Sequence, residues 1–227
     1  MIYVVITMVF AGVGALVSGR LKSKFKQYSR VPMTNGMSGA EVAQRMLDHY
    51  NLRDVKIVAG QGFLTDHYNP ATKTVSLSPD VYQGRSVAAA AVASHECGHA
   101  VQHAKGYAWL QFRSKMVPVV QISSRFQSIL LMLALGGLGA GFGDTLLLIT
   151  IGVFAATTLF SLVTLPVEFD ASNRALAWLE SSNVAGGQQL AGAKDALWWA
   201  AMTYVVAALS SLTILIYLIF RYMGSSR

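Results

Sequence analysis

Residues Val87 to His103 read Val-Ala-Ala-Ala-Ala-Val-Ala-Ser-His-Glu-Cys-Gly-His-Ala-Val-Gln-His. Ser86 precedes this run as a helix N-cap, and Gly106 is placed to end it. The stretch predicts one long helix. On such a helix His95 and His99 stand four residues apart, on one face, so both imidazoles can reach a single metal ion. Zinc bound there would lower the pKa of a water to about 7, and Glu96, next to the first ligand, stands where it can take the proton. With 5 His and 4 Glu in 227 residues, His-Glu-x-x-His is expected by chance only about 0.002 times in a shuffled chain.

A catalytic zinc usually takes three protein ligands and keeps one position open. The third ligand must come from elsewhere. The position six residues after His99 is Lys105, which excludes a third histidine there. His103 continues the helical face but lies about 12 Å along the axis from His95, too far for one ion. Three other glutamates remain: Glu41, Glu168 and Glu180. Glu41 belongs to a capping box, and Glu180 sits among serines at a helix end. Glu168 follows Pro166 at the rim of an apolar run and an even number of spans away from the His-Glu-x-x-His helix. It is the expected third ligand. Cys97 reads as a small buried helix residue, and Gly98 as a place where another element packs close.

Outward from the helix, the chain turns apolar. Hydrophobic residues make up 53% and charged residues 13% of it, with a mean hydropathy of +0.45. An ordinary soluble domain carries about 25% charged residues, so a soluble enzyme, a coiled coil and a disordered chain are all excluded. Four runs are candidates to cross a membrane: 1–19, 126–143, 145–167 and 196–220, the second and third joined by a short Gly143-Asp144 turn. The net charge of +7 is read as topogenic, not as a nucleic-acid surface. Arg20, Lys22, Lys24, Lys26 and Arg30 follow the first run, so residues 20–125 and 168–195 are expected in the cytoplasm. The lone Cys97 leaves no intramolecular disulfide.

Between the first run and the motif helix the pattern is α+β. Ser38-Gly-Ala-Glu41 opens a helix to about Tyr50. Residues 55–58, 62–68 and 73–78 read as short strands, the last two joined by an Asn69-Pro70 turn. The strand at 73–78, or else that at 62–68, is expected to bind an extended substrate by strand addition.

Four stretches carry a family likeness: Asp66-His67-Tyr68-Asn69-Pro70, Val75-Ser76-Leu77-Ser78, His95 to Gln102, and Pro166-Val-Glu-Phe-Asp-Ala-Ser172. On these the chain resembles the YugP-like neutral zinc metallopeptidases of bacterial membranes and, more distantly, the HtpX and CAAX-prenyl protease group. The resemblance implies a gluzincin-like membrane metallopeptidase with one Zn2+ per chain. It implies His95, His99 and Glu168 as ligands and Glu96 as general base. The more distant group pairs its ligand glutamate with an aspartate four residues on. Here that position is Ser172, and the nearest aspartate, Asp170, is the candidate for the supporting role.

The expected protein is therefore a mainly α membrane protein: about four transmembrane helices with a small cytoplasmic α+β zincin-like domain. Residues 1–19 are the anchor, 20–125 the domain with the motif helix, and 126–167 a transmembrane hairpin. Residues 168–195 hold the third ligand, and 196–227 the last span and tail. The expected activity is zinc-dependent endopeptidase cleavage of a peptide or membrane-protein substrate, at the cytoplasmic face of a bacterial-type cell membrane. His67 and Tyr68 are candidates to touch substrate or, with Arg174, to steady the oxyanion. The rivals are a site-2-type intramembrane protease and a scaffold with a structural zinc.

Overall fold

The computed structural model describes residues 2–136 and 143–225. In chain order these form α1 (Ile2–Tyr28), α2 (Gly39–His49), β1 (Lys56–Ala59), β2 (His67–Asn69), β3 (Thr74–Leu77), α3 (Pro79–Tyr82), α4 (Val87–Ala104), α5 (Ala108–Gly136), α6 (Gly143–Ser181) and α7 (Gly187–Ser225). Contacts group the chain into two units. The first holds Met1–Leu16, Phe112–Leu165 and Thr203–Arg227; the second holds Val17–Gln111 and Pro166–Met202.

The second unit is built around α4. Ala88, Ala89, Ala90, Ala91 and Ala93 are all buried, and these small side chains let α2 lie close through Val42, Ala43, Met46 and Leu47. The start of α2 is set as its sequence requires. The Ser38 hydroxyl accepts from Glu41 N–H, and the Glu41 carboxylate accepts from Ser38 N–H at 2.7 Å. Val75 and Leu77 of β3 also face this core, fully buried. Trp178 and Leu179 of α6 join the same cluster. α6 ends with Asn183 at φ 51°, and Val184 N–H returns to Leu179 C=O at 3.0 Å.

The sheet corrects one expectation. Its order is β1-β3-β2, with β1 parallel and β2 antiparallel to β3. The strand at 73–78 is thus central, with its backbone groups paired on both sides, and cannot accept a further strand. Only β1 and β2 are edges. The run 62–68 is also shorter as a strand than expected. Gly62 at φ 91° and Leu64 at φ 56° turn the chain, and extended pairing begins at His67.

In the first unit, Leu131, Ala134, Leu147, Phe154, Ile214 and Leu218 form an apolar cluster. Among the described residues, four helices are long and apolar enough to cross a membrane: Ile2–Tyr28, Ala108–Ala134, Gly143–Ser181 and Gly187–Gly224. Two boundaries differ from expectation. α5 begins at Ala108, well before Phe126, and carries Pro118 within it. Gly143 and Asp144 lie in the first turn of α6, not in a turn between helices; residues 137–142 lie outside the described residues. α6 also runs unbroken through Pro166. A proline removes one backbone donor, which a long packed apolar helix tolerates.

Candidate metal centre

α4 and α6 meet at unusually short range. A Cβ on Gly98 would lie 2.6 Å from the carbonyl oxygen of Ala171, so only glycine fits. This contact brings the histidine face of α4 against Glu168, which is buried. Glu168 Oε2 lies 3.3 Å from His95 Nε2 and 3.7 Å from His99 Nε2. One ligand atom from each of the three residues falls within 4.8 Å of the others, and together they could hold a metal ion.

The far side of each imidazole is engaged elsewhere. His95 Nδ1 lies 3.1 Å from Ser172 Oγ, and His99 Nδ1 lies 3.0 Å from Gln102 Oε1. The Gln102 amide nitrogen donates to Val167 C=O and to Asp170 Oδ2, each at 2.8 Å. With its donors committed there, Gln102 turns its oxygen to His99, so Nδ1 carries the proton and Nε2 presents a lone pair. Asp170 is held in turn by Arg174, at 2.5 Å from Nε and 3.2 Å from Nη2. The Arg174 guanidinium stacks over Tyr107 at 5.7 Å. The donor set therefore suits zinc: two imidazole Nε2 atoms and a carboxylate converge while the supporting groups face away.

Glu96 is buried beside the pair, and that burial pushes its carboxyl above the usual range, against the pull of His95 and His99. Burial opposes charge on His99, but Glu168 outweighs it and raises the imidazole above its ordinary value. The site thus attracts positive charge. Burial also pushes the Cys97 thiol up, and its Sγ lies 3.6 Å from Ala43 C=O. Cys97 is a packing residue, as its small size suggests.

The other candidates fall as follows. Glu41 is in its capping box, and Glu180 is exposed at the end of α6. Tyr68 Oη lies 2.8 Å from His103 Nδ1, which accounts for His103 without a metal. His67 is exposed on the edge strand, its Nδ1 2.9 Å from Thr65 C=O. Asp66, just before that strand, accepts from Ser78 N–H at 2.7 Å and from the Ser78 hydroxyl at 3.1 Å. Asp170 touches neither histidine directly; Gln102 stands between it and His99. Sequence reasoning gave Gln102 and Ser172 no such tasks. Their signal was spacing: Gln102 is three residues after His99, and Ser172 four after Glu168.

With this geometry the chain can be placed. It belongs to the family described as "putative neutral zinc metallopeptidase", whose model matches residues 2–223. It is 42% identical over 214 residues to the "putative membrane protease YugP" of Bacillus subtilis (strain 168), a match that covers 93% of this chain and 92% of that relative. No solved structure matches it.

Proposed function

We propose that this chain is a membrane-embedded zinc endopeptidase that cleaves peptide or membrane-protein substrates at the cytoplasmic face. The observation that carries the proposal is the convergence of His95, His99 and Glu168 from two helices, with Glu96 adjoining them. His95 Nε2, His99 Nε2 and the Glu168 carboxylate would hold zinc, which supplies the positive charge that acidifies water and polarises a carbonyl. Glu96 accepts the proton of the attacking water and returns it to the leaving amine. Gln102 and Ser172 hold the imidazoles in place. The substrate backbone adds to the outer edge of β2, where Tyr68, steadied by His103, and His67 stand ready to meet it.

The domain reading is that the expected cytoplasmic region 20–125, cut back to 20–111 because Phe112 onward groups with the apolar first unit, forms the cytoplasmic part with residues 168–195, and that the four long helices span. The basic run after α1 favours this orientation. The site-2 alternative is disfavoured by the surroundings of α4. Its alanine face is covered by α2 and the sheet, leaving no length of it to cross a membrane. A Glu96→Gln protein separates the enzyme from a zinc scaffold. It should keep zinc and lose peptide hydrolysis, and retained turnover would remove the proposal. A reporter inserted near Tyr50 that is active only outside the membrane would reverse the topology.

A further inference from the structure

Arg125 lies inside the apolar stretch of α5 and is exposed. Its depth follows from neighbours within the first unit. The Arg113 guanidinium sits 5.9 Å from the Phe160 ring, and Thr150 Oγ1 donates to Leu130 C=O at 3.4 Å. Phe160 and Thr150 both belong to the uncharged run 145–167. Arg125 falls between these two levels, about 18 Å along the helix from Arg113. If that run spans a bilayer whose hydrocarbon layer is about 30 Å thick, Arg125 stands deep within it. Gln121, Arg125 and Ser128 follow one another at helical spacing, all exposed. No hydrogen bond or ion pair joins the Arg125 guanidinium to another described residue.

A cation in hydrocarbon is costly unless something covers it, and such residues mark functional contacts. The covering group has to be sought outside the chain. The first unit contains one acidic residue, Asp144, which precedes the Leu147 that packs with Leu131 and Ala134, at the far end of the helix pair. A second copy meeting the same face would set Arg125 against Arg125. Lipid headgroups lie at the wrong depth. We propose that the Gln121–Arg125–Ser128 face of α5 docks a transmembrane helix of another protein that carries a carboxylate at mid-bilayer depth. Bound there, the carboxylate pairs with the guanidinium while Gln121 and Ser128 hydrogen-bond beside it, recruiting membrane clients by one buried charge.

The proposal rests on the membrane reading, not on the peptidase chemistry, and two measurements on the full chain in phosphatidylcholine vesicles separate them. The first attaches a nitroxide to Arg125→Cys in a Cys97→Ala background and reads its depth. A label at headgroup depth overturns both the membrane placement of α5 and the proposal. The second measures energy transfer from the labelled protein to synthetic polyleucine helices carrying Glu, Gln or Leu at their centre. The Glu helix should bind wild type roughly 5- to 30-fold more tightly than the Leu helix. Arg125→Leu and Arg125→Gln should abolish that difference while keeping the Leu-helix affinity. Equal binding of the three helices to wild type overturns the proposal. So does a preference seen only when phosphatidylglycerol is added, which assigns the face to lipid. Transfer between two labelled copies that Arg125→Leu removes assigns it to self-association instead.

Discussion

Gly98 lies directly under the carbonyl of Ala171, with room for a hydrogen but not for a methyl group. Everything at the candidate metal centre depends on that approach, because the three residues that could hold a metal are divided between the two helices that meet there. Gly98→Ala must push α4 from α6 against backbone, not against a flexible side chain. The expected cost is about 1–3 kcal/mol of stability, together with weaker zinc binding. Thermal melting and chelator competition would measure the two effects, and a variant with wild-type values in both would contradict the packing.

Glu168→Ala should remove one of three donors, and with it zinc retention and hydrolysis. Glu180→Ala should keep both, since that carboxylate is exposed at the far end of α6. Metal content of the purified proteins decides the matter: about one zinc per chain in the control and wild type, little in Glu168→Ala. The reverse pattern would move the ligand along the helix.

In the proposed site Gln102 would act on the metal through His99, as a positioning residue. Gln102→Leu should lower zinc affinity roughly 10- to 100-fold, with His99 free to turn. Asp170→Asn should have a smaller effect in the same direction, because its amide can still accept from Gln102. The discriminating readout is the tautomer of His99 by nitrogen NMR of the metal-free protein. Wild type should hold the proton on Nδ1, and Gln102→Leu should lose that preference. An unchanged tautomer would leave Gln102 with a structural part only.

The cap of α2 makes a pH prediction. Ser38 N–H and its hydroxyl, with Arg85 nearby, hold the Glu41 carboxyl below its usual range. A depressed carboxyl stabilises fully above its unfolded value, about pH 4.3, and the contribution fades as pH falls through the lower folded value. Glu41→Gln should therefore flatten the acid limb of the melting curve. Ser38→Ala should cost about 1 kcal/mol at neutral pH. An acid limb unaltered in Glu41→Gln would deny the cap its part.

The local signals were legible because each is a matter of spacing or of one residue's chemistry. Ser38 and Glu41 announced their capping box, and Val87 to Ala104 its helix. Glu168 emerged by elimination because glutamate is scarce. The strand order was not legible. Which of three short strands lies in the middle is decided by long-range pairing around α4, and no local pattern records it. The start of α5 was obscured by Arg113, Lys115 and Arg125, whose charge dilutes an otherwise apolar stretch. Asp170 was noticed as a carboxylate of the right kind; the glutamine through which it acts was not, because an amide relay has no charge to draw attention.

The chain is made from its amino end, and α4 with both histidines is complete long before Glu168 is translated. During that interval the two imidazoles and the carboxylate of Glu96 have been synthesised, but the third donor does not exist. It arrives only after the apolar first part of α6 has been made. Order of synthesis thus acts as a safety catch: a nascent chain that ends before residue 168 lacks one of the three residues that could hold the metal, so the proposed activity cannot begin until that part of α6 has been made.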